Sequence, residues 1–286
     1  MKTTLLIIDP QNDFCDLPPG WCPTDPLTGQ PISTALPVAG AHADMLRLAE
    51  LIDRCGDHID DIVITLDSHH RYDVAHPSFW ITGAGGKVAP FTPITAAQVR
   101  AGDYRPRDNG ALERTLAYLD ALEAAGRYTL MVWPAHCEIG TWGHNVHAAV
   151  RAACQRWEDR RLRTTLAMNK GSNPWTEHYS ALQAEVPDPA DPGTQLNRAL
   201  IAQLDQADSI VIAGEASSHC VRATTEHLAQ HLPSGRIDKL LLVTDAMSPV
   251  AGFESQAQDF IDTMRRQGAR TADAETAATL LQGTAV

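Results

Sequence analysis

The amino-acid sequence predicts an α/β fold in which helices cover both faces of a six-stranded parallel sheet, giving three layers. Six short apolar runs have the length of β-strands and do not alternate with polar residues, which is typical of strands buried on both faces. Segments with the apolar spacing of helices lie between most of these runs. This alternation is typical of a parallel sheet with helical crossovers.

The predicted elements extend along residues 1–286, which we expect to form a single domain. The strands are predicted at residues 5–9, 61–66, 128–133, 162–168, 209–213 and 239–244. The helices are predicted at residues 39–53, 109–125, 144–160, 196–207, 219–230, 253–267 and 272–281. Long loops are expected at residues 16–38, 81–108 and 171–193.

The composition is that of an ordinary globular protein, since 44% of the 286 residues are hydrophobic and 20% are charged. The formal net charge of −12 argues against binding to nucleic acid or to anionic membranes. The N-terminal apolar run stops at Asp9 and predicts a strand, not a signal peptide. The six cysteines form no Cys-x-x-Cys pair, so we expect reduced thiols and a cytoplasmic protein.

The segment around Cys220 connects a predicted strand to a predicted helix. An apolar run ends at Gly214, small and polar residues follow, and helical spacing resumes near His219. Cys220 is therefore expected in the first helical turn, where free amides and the helix dipole stabilise a thiolate or an oxyanion. The alternative is a buried cysteine that packs as a small hydrophobic residue.

Two charged side chains come at the ends of other strands. Asp9 ends the first predicted strand, and Lys170 follows the fourth. Functional residues of parallel sheets collect at the carboxyl ends of the strands, so we expect both beside Cys220, where the lysine would stabilise the thiolate and the carboxylate. The alternatives are a turn residue for Asp9 and a solvated charge for Lys170.

Possible metal ligands follow two further strands. Asp67 and His69 come directly after the second strand, and His76 lies in the loop that follows them. His136 comes just after the third predicted strand. Carboxylate and imidazole groups are suitable ligands for Zn²⁺ or Fe²⁺. The alternative is a solvated polar loop with unrelated histidines.

Together, these segments resemble the isochorismatase-like cysteine hydrolases, and within them the nicotinamidases. Five separated segments match the pattern of that family in the same order: residues 6–14, residues 67–69 with 76–79, residues 133–137, residues 170–171 and residues 214–221. The resemblance covers most of the chain apart from the long loops.

The resemblance implies an amidohydrolase that converts nicotinamide to nicotinate and ammonia through a thioester. Cys220 would be the nucleophile, Asp9 its base, and Lys170 the group that holds both. The backbone amides of Ala216 and Cys220 would form the oxyanion hole. The resemblance also implies a cis peptide bond between Glu215 and Ala216.

The resemblance further implies a divalent metal ion that orients the ring nitrogen of the substrate. Its ligands would be Asp67, His69, His136 and, as a fourth, His76. We expect Zn²⁺ first, with Fe²⁺ or Mn²⁺ as alternatives. Phe14 and Trp133 would sandwich the planar ring. The expected partner is a small amide, without nucleic acid or membrane, and a homo-oligomer is open.

The chain departs from the family pattern at several positions. Glu215 stands where an apolar residue is usual, Ser218 where an acidic residue is common, and the interval from His69 to His76 is longer than expected. These departures and the long loops leave a related cysteine amidase or carbamoyl hydrolase, acting on another small amide, as the alternative. A binding protein without turnover would leave the three catalytic side chains without a role, and an ether hydrolase of the isochorismatase type would leave the metal cluster idle.

Overall fold

The computed structural model describes residues 1–283. The strands are β1 (Thr3–Ile8), β2 (Asp61–Asp67), β3 (Trp80–Thr82), β4 (Thr92–Ile94), β5 (Tyr104–Pro106), β6 (Leu130–Val132), β7 (Leu166–Lys170), β8 (Ser209–Gly214), β9 (Leu240–Val243) and β10 (Arg270–Ala272). The helices are α1 (Ala41–Cys55), α2 (Ala96–Ala101), α3 (Leu112–Ala125), α4 (Ala148–Arg161), α5 (Arg198–Asp205), α6 (Cys220–His231), α7 (Glu254–Arg266) and α8 (Ala274–Leu281).

A six-stranded parallel sheet lies at the centre, with the strand order β10-β9-β8-β1-β2-β7. Its central strands, β1 and β8, are buried along their whole length, in keeping with their apolar and β-branched sequences. From β1 the chain proceeds outward to β2 and β7, and it then returns to β8 on the other side of β1. Open parallel sheets bind ligands at such a reversal, in the crevice beyond the carboxyl ends of the strands.

Helices pack on both faces of this sheet. On one face, α1, α4 and α8 contribute Leu48, Trp157 and Ala278 to a hydrophobic cluster with the strands. On the other face, α5, α6 and α7 form a second cluster that includes Leu228 and Phe260. The predicted three-layer architecture with a six-stranded parallel sheet is therefore confirmed.

The membership of the sheet differs from the prediction at one strand. The predicted strand at residues 128–133 is present as β6, but it pairs antiparallel with β4 outside the central sheet. There it packs with α3 in a third hydrophobic cluster that includes Leu119 and Val132. The sixth strand of the sheet is β10, which the sequence analysis missed. It has only three residues, of which Arg270 and Thr271 are polar, so that it shows no apolar run.

Some boundaries of the strands and loops also differ from the predicted ones. The strand predicted at residues 162–168 is β7, which begins later because Leu162 still caps α4. β7 also ends later than predicted, so that Lys170 is its last residue. Residues 81–108 contain β4, α2 and β5 and are not a continuous loop. None of the helices in residues 1–283 is both long and apolar enough to cross a membrane. The six cysteines are all free thiols.

Candidate active site

The strand register brings the predicted catalytic residues to one edge of the sheet. Ile8 of β1 is the register partner of Gly214 of β8, and Asp67 of β2 is the register partner of Lys170 of β7. Gly214 has φ +120°, and a Cβ there would overlap the backbone of Ile8. This close approach places Asp9, the residue after Ile8, beside the turn that leads to α6.

Lys170 lies at the centre of the site and is 3% exposed. Its Nζ lies 3.0 Å from Asp9 Oδ2 and 3.6 Å from Cys220 Sγ. It also donates hydrogen bonds to Asp67 Oδ1 (2.9 Å) and to the carbonyl of His178 (2.8 Å). Burial alone lowers the pKa of Lys170, but Asp67 and Asp9 outweigh burial and raise this pKa well above its ordinary value. The ammonium group therefore stays charged and links the two acids to the thiol.

Asp9 and Cys220 are arranged for transfer of a proton. Burial raises the pKa of Cys220 well above that of an ordinary thiol, against the opposing effect of Lys170. Burial likewise raises the pKa of Asp9, which Lys170 and the Thr65 hydroxyl oppose. Thr65 donates a hydrogen bond of 2.6 Å to Asp9 Oδ1, whereas Oδ2 accepts no aligned hydrogen bond from any group among residues 1–283. Asp9 Oδ2 is therefore available to accept the thiol proton, and Lys170 is placed to stabilise the thiolate that results.

At the turn that leads into α6, the backbone amides of Ala216, Ser218 and Cys220 have no acceptor among residues 1–283. Cys220 is the first residue of α6, and the peptide bond between Glu215 and Ala216 is cis, as the resemblance implied. Free amides at a helix N-terminus stabilise negative charge. The amides of Ala216 and Cys220 can therefore serve an oxyanion that forms on a carbonyl attacked by Cys220.

The predicted metal ligands form one buried cluster. His69, His76 and His136 each bring one ligand atom to within 4.8 Å of the others. Asp67 Oδ2 lies 3.0 Å from His69 Nε2 and 3.3 Å from His136 Nε2. The longer interval in the sequence therefore does not keep His76 away from the cluster.

The surroundings of these side chains fit a divalent cation. Asp73 Oδ2 lies 3.0 Å from His69 Nδ1, and the carbonyl of Pro134 lies 2.8 Å from His136 Nδ1, so that both Nε2 atoms face Asp67. Ligating histidines are usually oriented by such contacts. His76 Nδ1 is buried without a hydrogen-bond partner among the described residues. A carboxylate with three buried imidazoles is a donor set that suits Zn²⁺.

A cavity lies between Cys220 and the cluster of Asp67 and the histidines. Cys220, Ala216, Asp67 and His136 are among the residues that line it. Its aromatic and apolar lining is formed by Phe14, Leu36, Trp133, Tyr179 and Val250. Both predicted aromatic walls are thus at the cavity.

Solved structures share this fold. A nicotinamidase/pyrazinamidase of Acinetobacter baumanii matches with a TM-score of 0.58 and 18% sequence identity, over 96% of this chain and 98% of that chain. This is the fold of the nicotinamidases. The yeast nicotinamidase matches with a TM-score of 0.61 and 19% identity, over 95% of this chain and 99% of that chain. The zinc complex of the pyrazinamidase of Pyrococcus horikoshii matches with a TM-score of 0.52 and 17% identity, over 96% and 99%. No protein-family model and no curated protein matches the chain by sequence.

Three polar side chains at the cavity of this nicotinamidase fold were not among the site residues predicted from the sequence: Glu177, Tyr179 and His219. Glu177 lies in the predicted loop 171–193 and is 4% exposed. Its Oε2 has no hydrogen-bond partner within the part of the chain described, and burial raises its pKa. The sequence signal for Glu177 was weak, because a charged residue in a long loop is usually solvated.

Proposed function

We propose that the protein is a cysteine amidohydrolase of the isochorismatase-like type, and that it hydrolyses nicotinamide to nicotinate and ammonia. One observation carries the proposal. The Lys170 ammonium contacts both Asp9 and Cys220, beside a cavity that Ala216 and Cys220 line, and the N–H groups of these two residues donate to no other residue within 1–283. This arrangement supplies a base, a nucleophile and an oxyanion site for attack on a carbonyl.

The first half of the reaction forms the thioester. Asp9 takes the proton from Cys220, and the thiolate bonds to the amide carbon while the carbonyl electron pair moves to oxygen. The amides of Ala216 and Cys220 donate to that oxyanion, and Lys170 stabilises the charges beside it. When the oxyanion collapses, the carbon–nitrogen bond breaks and Asp9 gives its proton to the nitrogen, which leaves as ammonia.

The second half hydrolyses the thioester. Asp9, again a carboxylate, takes a proton from water, and the resulting hydroxide attacks the acyl carbon. The carbon–sulfur bond breaks, the sulfur departs as a thiolate, and the proton held by Asp9 returns to it. The same oxyanion site and the same lysine therefore serve both halves.

In this proposal, the role of the metal cluster is to orient the substrate. Asp67, His69, His76 and His136 would hold the ion, for which Zn²⁺ is the first expectation and Fe²⁺ or Mn²⁺ are alternatives. A bound ion would supply a Lewis acid for the ring nitrogen of the substrate. Phe14 and Trp133 supply the aromatic surfaces against which a planar ring packs.

A cysteine amidase or carbamoyl hydrolase that acts on another small amide is the second candidate. Glu177 favours it, because this residue lines the cavity and its Oε2 has no hydrogen-bond partner among the described residues, which leaves an acceptor for a further substituent of the substrate. A buried polar group of this kind weakens the binding of a ligand that offers it no hydrogen bond.

Ammonia release from nicotinamide by the purified protein tests the proposal, with a panel of other small amides in parallel. We expect turnover of nicotinamide that a chelator abolishes and that added Zn²⁺, Fe²⁺ or Mn²⁺ restores. Turnover of another amide alone would favour the second candidate. No turnover of any amide would contradict the amidohydrolase assignment.

A further inference from the structure

Glu215 is an acidic residue in an interior position that the proposed mechanism does not use. It directly follows β8, it is 0% exposed, and it does not line the cavity. Asp44 of α1, which is 2% exposed, is a neighbouring acid that raises the pKa of Glu215. A buried carboxylic acid is costly unless its polar atoms are satisfied, so its contacts require a physical account.

Ser248 connects these two acids to the turn that carries the nucleophile. Its N–H donates to Glu215 Oε2 (3.2 Å), and its hydroxyl donates to Asp44 Oδ2 (2.6 Å). Its carbonyl in turn accepts a hydrogen bond from the Ser217 N–H (2.9 Å). Ser217 lies between the two amides assigned to the oxyanion hole, so the network reaches the catalytic turn directly.

The two acids bond to each other only if one of them carries a proton. Both oxygens of Asp44 accept hydrogen bonds, one from Ser248 and one from Arg47 Nη2 (2.6 Å). Glu215 Oε1 accepts from no group among residues 1–283, which fits an oxygen that is itself a donor. Burial raises the pKa of Glu215 well above its usual value, and the neighbouring Asp44 and Asp16 raise it further. The buried Cys15 thiol is a further titratable neighbour.

We propose that Glu215, held in its neutral form, is a positioning residue for the oxyanion hole. Its O–H donates to Asp44 while its other oxygen accepts from the Ser248 N–H, and this fixes the segment that packs on the catalytic turn. The same segment holds Val250, whose N–H donates to Ser218 Oγ (3.1 Å) and whose side chain lines the cavity. The positioning role rests on the proposed function.

Two variants of Glu215 separate this role from simple packing. Glu215→Gln retains an N–H donor for Asp44 and a carbonyl acceptor for Ser248, so we expect kcat at neutral pH within about twofold of wild type. Glu215→Leu fills similar space without either hydrogen bond. We expect it to lower kcat about tenfold with little change in KM, less than the roughly 10²–10³-fold loss on removal of an oxyanion donor.

The pH dependence of stability tests the proton on Glu215 without any substrate. Its pKa is higher in the folded state than in the unfolded chain, where it is about 4.3. The folded protein therefore holds a proton that the unfolded chain releases, and this contribution to the free energy of unfolding declines as pH rises above about 4.3. Glu215→Gln lacks this decline, so its stability relative to wild type rises with pH.

Urea unfolding of both proteins between about pH 5 and 9 measures this difference. If the free energy of unfolding has the same pH dependence in both proteins, the assignment of a neutral Glu215 is overturned. A Glu215→Leu variant with wild-type kcat would overturn the positioning role while the proposed function stands. If wild type hydrolyses no amide, the proposed function fails by itself. The positioning role is then tested by the rate at which iodoacetamide alkylates Cys220, for which we expect Leu and Gln variants to differ and wild type to resemble Gln.

Discussion

Two buried carboxyl groups at the same edge of the sheet have pKa values that are shifted in opposite directions. Asp67 and Glu215 are both excluded from water, and burial by itself raises the pKa of each. For Asp67, the neighbouring His69 and Lys170 outweigh burial and lower its pKa well below the usual range. Glu215 faces another acid, Asp44, so its pKa rises further. Burial acts in the same direction on both carboxyl groups, so the groups that surround each one determine whether its pKa is raised or lowered.

The largest effect is expected for Lys170→Met, because this variant removes the cation that Asp9 and Asp67 share. We expect a loss of kcat/KM of about 10³-fold or more, since the thiolate loses its counter-charge. We also expect a destabilisation of about 3 kcal/mol or more, because two buried acids lose their partner. Steady-state kinetics and urea unfolding measure the two effects.

Lys239→Met is the matched control. Lys239 is also buried, at 6% exposure, and its Nζ lies 3.0 Å from Asp205 Oδ1, away from the cavity. This variant should lose stability but keep its kcat/KM. Equal activity losses in the two variants would show that Lys170 acts through the fold alone.

The variant His76→Ala tests whether the histidines around Asp67 hold a metal ion. We expect the affinity for Zn²⁺, measured by competition with a chromogenic chelator, to fall about 100-fold. The neighbouring His70 is exposed and provides the control, since His70→Ala should leave the affinity unchanged. Equal Zn²⁺ affinity in His76→Ala and wild type would remove His76 from the site.

The smallest expected effect is that of Asp44→Asn. Its amide can donate to Glu215, which then needs no proton of its own to bond there, so the pKa of Glu215 should fall. The decline of stability with rising pH that Glu215 causes should therefore weaken, with a change in the free energy of unfolding of about 1 kcal/mol at neutral pH. Urea unfolding at two pH values measures it. An unchanged pH dependence would mean that Asp44 is not the partner of Glu215.

Much of the candidate site could be predicted from the sequence, because its residues follow buried strands of a parallel sheet. Asp9, Asp67 and Lys170 each lie at or beside a strand end, and Cys220 begins a helix after another strand. Parallel topology brings such positions together whatever their separation along the chain. The structure places these side chains within contact distance, and their roles stay predictions.

The rest could not be predicted, because it depends on contacts that leave no local pattern. The three-residue strand β10 has no apolar period, and β6 has the apolar character of a central strand but pairs elsewhere. Glu177 reaches the cavity from a loop without periodicity. Glu215 stands out in the sequence as an unusual residue, but Asp44, which determines its charge, lies on a distant helix whose spacing gives no indication of the contact.

In the proposed mechanism, Cys220 carries the acyl group during turnover. The most direct test is to mix the protein with nicotinamide, quench with acid during steady turnover, and map the adduct by peptide mass spectrometry. We expect a nicotinoyl thioester on the peptide that contains Cys220, and neither adduct nor ammonia release in Cys220→Ala. Ammonia release by Cys220→Ala at a rate comparable to wild type would contradict the account, as would an acyl group found on another residue.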